Sequence, residues 1–255
     1  MKKVSMTQFK VWSIVLPLLL YWVMEVIVLF LLLSVFGTSK ERYMLCEILT
    51  SAITLPMVYF WFYRLDHIGE KLQKNAKQVA CHIVFIVLIA LGVSVFWNNI
   101  ICMSPLIVIS QGFAEANAKF YGSTMVLEII GSGILTPILE ETLYRGVIYE
   151  RLRKMMGFAP AMVLSSLLFA VMHFNVVQFV FAFGMGLLLA WCVEKTGHVY
   201  GSIVAHMTSN VLAVIRTETG FLNQTVDGSA SAWVMTVVAG AIGLCIWYYY
   251  NKKKI

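Results

Sequence analysis

Eight apolar stretches, each near the length that spans a bilayer, leave this chain little room to be anything but a helical membrane bundle. They run over residues 11–36, 44–63, 79–101, 124–148, 158–174, 176–193, 199–215 and 230–250. A hydrocarbon core about 30 Å thick needs roughly 20 residues of helix. Hydrophobic residues make up 60% of the 255 and charged residues 13%, far too few charges for the surface of a soluble domain. The sequence therefore predicts an all-α, polytopic integral membrane bundle of about eight transmembrane helices. It is expected to form one domain over residues 1–255, with its motif-bearing core at about 124–215. The first stretch is too long for a signal-peptide core and has no small-residue cleavage site, so it is expected to stay in the mature protein.

Basic residues predict the orientation. With the N-terminus inside, the inner side receives Lys2, Lys3, Lys10, Arg64, Lys71, Lys74, Lys77, Arg151, Arg153, Lys154, Lys195, Lys252, Lys253 and Lys254. The outer side receives Lys40, Arg42, Lys119 and Arg216. This is a strong positive-inside bias, and an even number of crossings returns the C-terminus to the cytoplasm. The net charge of +6 calls for no nucleic-acid partner, because such loops sit against anionic headgroups. Cys46, Cys81, Cys102, Cys192 and Cys245 are scattered through apolar segments with no paired spacing, and read as small buried apolar residues.

Within the apolar stretches three polar groups stand out. The first is Glu140-Glu141-Thr142-Leu143-Tyr144-Arg145, the second Phe169 with His173, and the third His206 with Asn210. Charge inside a membrane is expensive, and such clusters mark sites or pairings. Glu141 and Arg145 are four apart on one helix face, which suits an internal salt bridge. Glu140 points about 100° away, with Tyr144 as its local partner one turn on. A carboxylate without a local cation suits either a general base or a protonated structural acid. His173 reads as a packing histidine or a catalytic one. His206 and Asn210 share a face and can donate hydrogen bonds, to an oxyanion or to a neighbouring helix.

Several expectations concern local shape. Gly131, Ser132, Gly133 and Pro137 weaken the helix ahead of the acids and let it bend or a neighbour pack closely. A hairpin near 175–178 splits the long apolar run after residue 158. The stretch 104–122 is a candidate interfacial helix on the outer side. Simple counting puts Glu140 in the inner half of its helix and His173 near the outer end of the next, so a bend or shifted boundary is needed to bring them together. Glu25, Glu47, Glu128, His67, His82 and His198 are assigned to no site.

The three motifs, Glu-Glu-x-x-x-Arg at Glu140 to Arg145, Phe-x-x-x-His at Phe169 to His173 and His-x-x-x-Asn at His206 to Asn210, resemble those of the CPBP family. These are CAAX-processing endopeptidases and bacteriocin-processing or immunity proteins, also called the Abi family. The resemblance implies an intramembrane endopeptidase in which Glu140 activates water and His173 positions it. His206 and Asn210 would stabilise the oxyanion, and Glu141, Arg145, Tyr144 and Phe169 would support them. It implies a peptide or a lipidated or membrane-anchored protein as substrate, membrane lipid as surroundings, and residence in a bacterial plasma membrane. No cofactor is certain. Glu140, His173 and His206 are candidate ligands for a divalent metal such as zinc, but no His-Glu-x-x-His element is present, which leans toward metal-free chemistry. The rival readings are a non-catalytic immunity or scaffold protein and a proton-coupled transporter; the complete set of four polar residues disfavours the first, and the lack of a repeat disfavours the second.

Overall fold

A computed structural model describes residues 6–67 and 76–253. Lys2, Lys3, Lys71, Lys74 and Lys254, counted above toward the inner side, lie outside the described residues. The protein is an all-α bundle. Its elements are α1 (Met6–Phe36), α2 (Lys40–Asp66), α3 (Ala76–Cys102), the short α4 (Leu106–Ile109), α5 (Gln111–Phe120), α6 (residues 125–155), α7 (Phe158–Val171), α8 (Val176–Thr196), α9 (Tyr200–Thr219) and α10 (Ala230–Lys252). Every apolar stretch expected from the sequence is thus occupied by a helix. Among the described residues five helices are long and apolar enough to cross a membrane: Lys10–Phe36, Lys40–Asp66, Ala76–Cys102, Val176–Thr196 and Ala230–Lys252. α7 is apolar but shorter, and α6 and α9 carry the polar motifs.

Two helices leave the α-helical register, and local sequence accounts for it. In α2, Pro56 lacks the N–H that would hold the preceding turn, and the ladder shifts to a π-segment at Tyr59–Tyr63. α6 contains two π-segments, Ile129–Leu135 and Tyr144–Tyr149, on either side of the α-helical Thr136–Leu143. Single π-turns of this kind concentrate at functional sites. The first coincides with Gly131-Ser132-Gly133, and the lack of side chains there is used. A Cβ on Gly131 would come within 2.8 Å of Met44 Sδ, and one on Gly133 within 3.0 Å of Val211. α2 and α9 therefore pack close on both sides of this turn. Further along, a Cβ on Gly146 would meet the Tyr63 ring at 2.5 Å. Since Met44 meets Gly131 and Tyr63 meets Gly146, α2 runs parallel to α6, and α1, joined to α2 through residues 37–39, runs antiparallel to both.

The hairpin expected at 175–178 falls slightly earlier. α7 ends at Val171, Phe174 adopts a left-handed φ of 54°, and Asn175 caps α8 by accepting from the Gln178 N–H at 2.9 Å. α8 packs on α7 and α9, and α10 lies along α3, where Gly92 and Gly243 bring the two backbones together. The main core gathers α6 and α7 residues, among them Leu139, Leu143, Tyr144, Val147, Ile148, Phe169 and Ala170. On the outside, Phe30, Val35 and Val237 are largely exposed, as lipid-facing side chains should be. All five cysteines are free.

Arg216, placed on the outer side by the sequence, is a buried clamp rather than a surface charge. Its guanidinium donates to Asn99 Oδ1 at 2.7 Å, to Thr225 Oγ1 at 3.1 Å and to the Leu222 carbonyl at 3.3 Å. Asn99 in turn donates to Thr236. This network ties the 220–229 connection to α3, α9 and α10.

Candidate active site

The two arms of the α6–α7 hairpin set the height of the site. Glu140 and His173 are equally far in sequence from the turn at 156–157, and so are Tyr144 and Phe169. With the same rise per residue in both arms, each pair comes level. The Tyr144 and Phe169 rings accordingly meet edge to face at 5.1 Å. This resolves the register question. α7 is short, so His173 lies just past its end at mid-height of α6 and not at the height of an outer surface.

Glu141 is the buried anchor. It and Arg145 are fully enclosed, with Arg145 Nη1 donating to Glu141 Oε1 at 3.1 Å. The expected internal pair is present, but it is not isolated. His206 Nδ1 lies 2.9 Å from the same oxygen, Arg145 Nη2 donates to the Gly186 carbonyl at 3.2 Å, and the guanidinium stands 4.5 Å over the Phe169 ring. One carboxylate thus joins α6 to α9, and one guanidinium joins α6 to α7 and α8. Removing either charge would strand the other in a low-dielectric interior.

Glu140 points elsewhere, as the 100° step between neighbours requires. Its side chain retains 18% exposure, and Oε2 lies 3.8 Å from His206 Nε2. The pairing with Tyr144 suggested by sequence is not formed: the Tyr144 hydroxyl is buried with no hydrogen-bond partner, and the neighbour of Glu140 comes from α9. His206 therefore stands between the two acids, one on each ring nitrogen. Its bond to an arginine-paired carboxylate places a proton on Nδ1 and turns Nε2 toward Glu140.

His173 Nδ1 lies 3.1 Å from the Phe169 carbonyl. A carbonyl only accepts, so Nδ1 carries the proton and Nε2 is the free face of the neutral ring. The rings of His173 and His206 both stand edge-on to Phe169, at 5.0 and 5.7 Å. Phe169 is the hub of the site, touching Tyr144, Arg145, His173 and His206, and its aromatic type suits edge contacts and a cation over its face. Asn210, one turn after His206, donates through Nδ2 to the Ser132 carbonyl at 2.9 Å. It supplies a donor to the π-segment that precedes the acids, leaving its second amide hydrogen for other use.

Glu140, His173 and His206 do not form a metal-ligand group: among the described residues no three His, Cys, Asp or Glu side chains are gathered to hold an ion. The arrangement is one of a carboxylate, two imidazoles and an amide around a partly exposed acid.

Comparison with known proteins bears on this same segment. Residues 122–212 match the family described as Type II CAAX prenyl endopeptidase Rce1-like. Over this segment the chain is similar to the CPBP/CAAX family. The CAAX-type segment contains every residue of the site, from Ser132 to Asn210. The chain is also similar to a Bacillus subtilis (strain 168) protein called "Putative membrane peptidase YdiL", at 33% identity over 89 residues. That alignment covers 35% of this chain and 36% of the relative, so the chain spans about a third of the length of the curated relative it matches. No solved structure matches the chain.

Proposed function

We propose that the protein is an intramembrane endopeptidase that hydrolyses a peptide bond in a membrane-associated peptide or protein, with Glu140 as the general base. The observation that carries this reading is the contrast between the two adjacent acids. Glu141 is engaged by Arg145 and His206, whereas Glu140 keeps a partly exposed side chain with its carboxylate beside an imidazole in a CAAX-type segment.

In this mechanism a water lies between Glu140 and Nε2 of His173. Glu140 takes one of its protons as the oxygen attacks the scissile carbonyl carbon, and the carbonyl oxygen becomes an oxyanion. Protonated His206, through Nε2, and Asn210, through its second amide hydrogen, donate to that oxygen. Glu140 then gives its proton to the leaving nitrogen as the C–N bond breaks. Glu141 and Arg145 hold His206 and Phe169 in position. No step is routed through a metal, because the candidate ligands are not gathered.

The whole chain works in this reading as one integral domain with eight crossings, α1, α2, α3 and α6 to α10, both termini cytoplasmic, in a bacterial plasma membrane. Its substrate would be a CAAX-type, pheromone or bacteriocin precursor. The deciding experiment compares membrane peptides from cells bearing wild-type or Glu140→Ala protein. A product missing only in the variant supports the reading; identical peptide sets in the two strains overturn it.

A further inference from the structure

Helix α6 outreaches the two helices that follow it. α7 ends at Val171 and α8 begins at Val176, on either side of His173 and level with Glu140, whereas α6 starts far earlier, at Met125. At about 1.5 Å per residue, α6 therefore rises roughly 20 Å beyond the α7–α8 turn, toward the end of the bundle that carries residues 37–39 and 220–229. The gap above the turn is occupied by α4 and α5. A Cβ on Gly112 would come 3.3 Å from Asn175 Cβ, so the start of α5 rests on the turn, two residues from His173. The far end of α5 reaches α2, where Phe120 meets Tyr43 edge to face at 6.2 Å. Tyr43 adjoins Met44, which packs on Gly131, so α5 slopes from the height of the site to well above it.

This strap is held loosely. Phe113, Ala116, Asn117 and Phe120 recur at helical spacing and are only half-buried, while Ala114, Glu115 and Ala118 on the other face are exposed. On α4, Val108 and Ile109 are 87% and 69% exposed. Among the described residues no side chain in 106–120 hydrogen-bonds or pairs with another helix. The 220–229 connection at the same end is the opposite case, since Arg216 clamps it to the bundle. Breaks flank α5 on both sides: Ser110 leaves the helical region at φ −97° and ψ 90°, and Gly122 takes φ +90°, a conformation open to glycine. A helix satisfies its own backbone, so α5 can shift as a unit without stranding N–H or C=O groups in the bilayer. A short helix with few buried contacts between two breaks has the build of a moving lid.

We propose that α4 and α5 form a gate: the strap swings about Ser110 and Gly122, and substrate reaches Glu140 through the gap above the α7–α8 turn. The inference rests on the endopeptidase reading and adds the route of entry. With the strap in place the Glu140 side chain is 18% exposed and that of His206 10%, which leaves little surface for a peptide to lie against. Lifting α5 off Asn175 uncovers the turn that carries His173 and opens a passage between α2 and α8, the two helices the strap touches. The substrate that fits this route is an apolar segment lying in the half of the bilayer on the 220–229 side, able to slide in sideways.

The test uses the full chain in lipid nanodiscs, cleared of its native cysteines, and has two arms. In the first, Gly112→Cys with Asn175→Cys locks the strap; the 3.3 Å between the two Cβ positions is near the ~3.8 Å typical of a disulfide. The cross-linked form should cleave quenched fluorescent apolar helical peptides at least about tenfold more slowly than the same protein after reduction. Equal rates in the two forms overturn the gate. The second arm needs no proteolysis. Glu140→Cys, as the sole cysteine, is labelled with a fluorescent maleimide with and without Gly112→Trp, whose indole wedges the strap off Asn175; Gly112→Leu is a milder wedge, and thermal unfolding reports the fold of each variant. The wedge should speed labelling about tenfold, and an unchanged rate in both folded wedge variants also overturns the gate. Faster labelling with no cleavage of any peptide by the wild type would sink the endopeptidase reading and leave the gate standing.

Discussion

Nδ1 of His206 lies 2.9 Å from Oε1 of Glu141, the oxygen that also accepts from Arg145. This contact divides the labour between two neighbouring acids that the sequence presents as equals. Glu141 fixes the histidine, and Glu140, 3.8 Å from the other ring nitrogen, stays available for chemistry.

Glu140→Gln should therefore abolish cleavage and leave the fold intact. The amide keeps the size of the side chain, which stays in its partly exposed place, but it cannot accept the proton of water. Single-turnover cleavage of an identified substrate, alongside thermal unfolding in detergent, checks both halves; wild-type turnover in the variant would remove Glu140 as the base.

Glu141→Gln should instead destabilise the protein, by about 3–5 kcal/mol, because it leaves Arg145 buried without its counter-charge. Adding Arg145→Met should restore much of that loss, since both charges are then gone. Activity should not return in the double variant, because His206 still lacks its anchor. Recovery of both melting temperature and activity would show that Glu141 serves only the ion pair.

Asn210→Ala should lower kcat by about 100- to 1,000-fold with KM little changed, the cost of losing one donor to a transition-state oxyanion. The same change removes the donor to the Ser132 carbonyl, worth about 1 kcal/mol of stability. Normalising kcat to folded protein separates the two effects, and a value within a few-fold of wild type would leave Asn210 as a tie between α9 and α6 alone.

For topology, single cysteines replacing Lys77 and Asp227, both exposed, in a chain cleared of its native cysteines should label from opposite sides of the membrane. Labelling of both by an impermeant reagent added to one side would contradict the eight-crossing arrangement.

What the sequence made legible was local. The Glu141–Arg145 pair follows from four-residue spacing, and the weak helix at Gly131-Ser132-Gly133 follows from missing side chains. Contacts that depend on the relative height of two helices were not legible. Glu141 with His206, Arg145 with Gly186 and Asn210 with Ser132 each require the register between elements, which spacing within one element does not contain. Phe169 was readable as a motif residue, but not as the ring on which four other side chains rest. Arg216 was readable as a charge at a helix end but not as a clamp, for a related reason. Its position near a helix end signals a surface, and only the folded-back 220–229 connection turns it into an interior residue.

The α6–α7 hairpin places Glu140 and His173 at matched distances from its turn, and this dictates where the gene can change length. Extra residues at 156–157 add only to the bend and should be tolerated. A residue lost from either arm would lower one side chain by about 1.5 Å and swing it by about 100°. The segment from Glu140 to His173 therefore behaves as a calibrated pair of legs, open to insertion only at the knee.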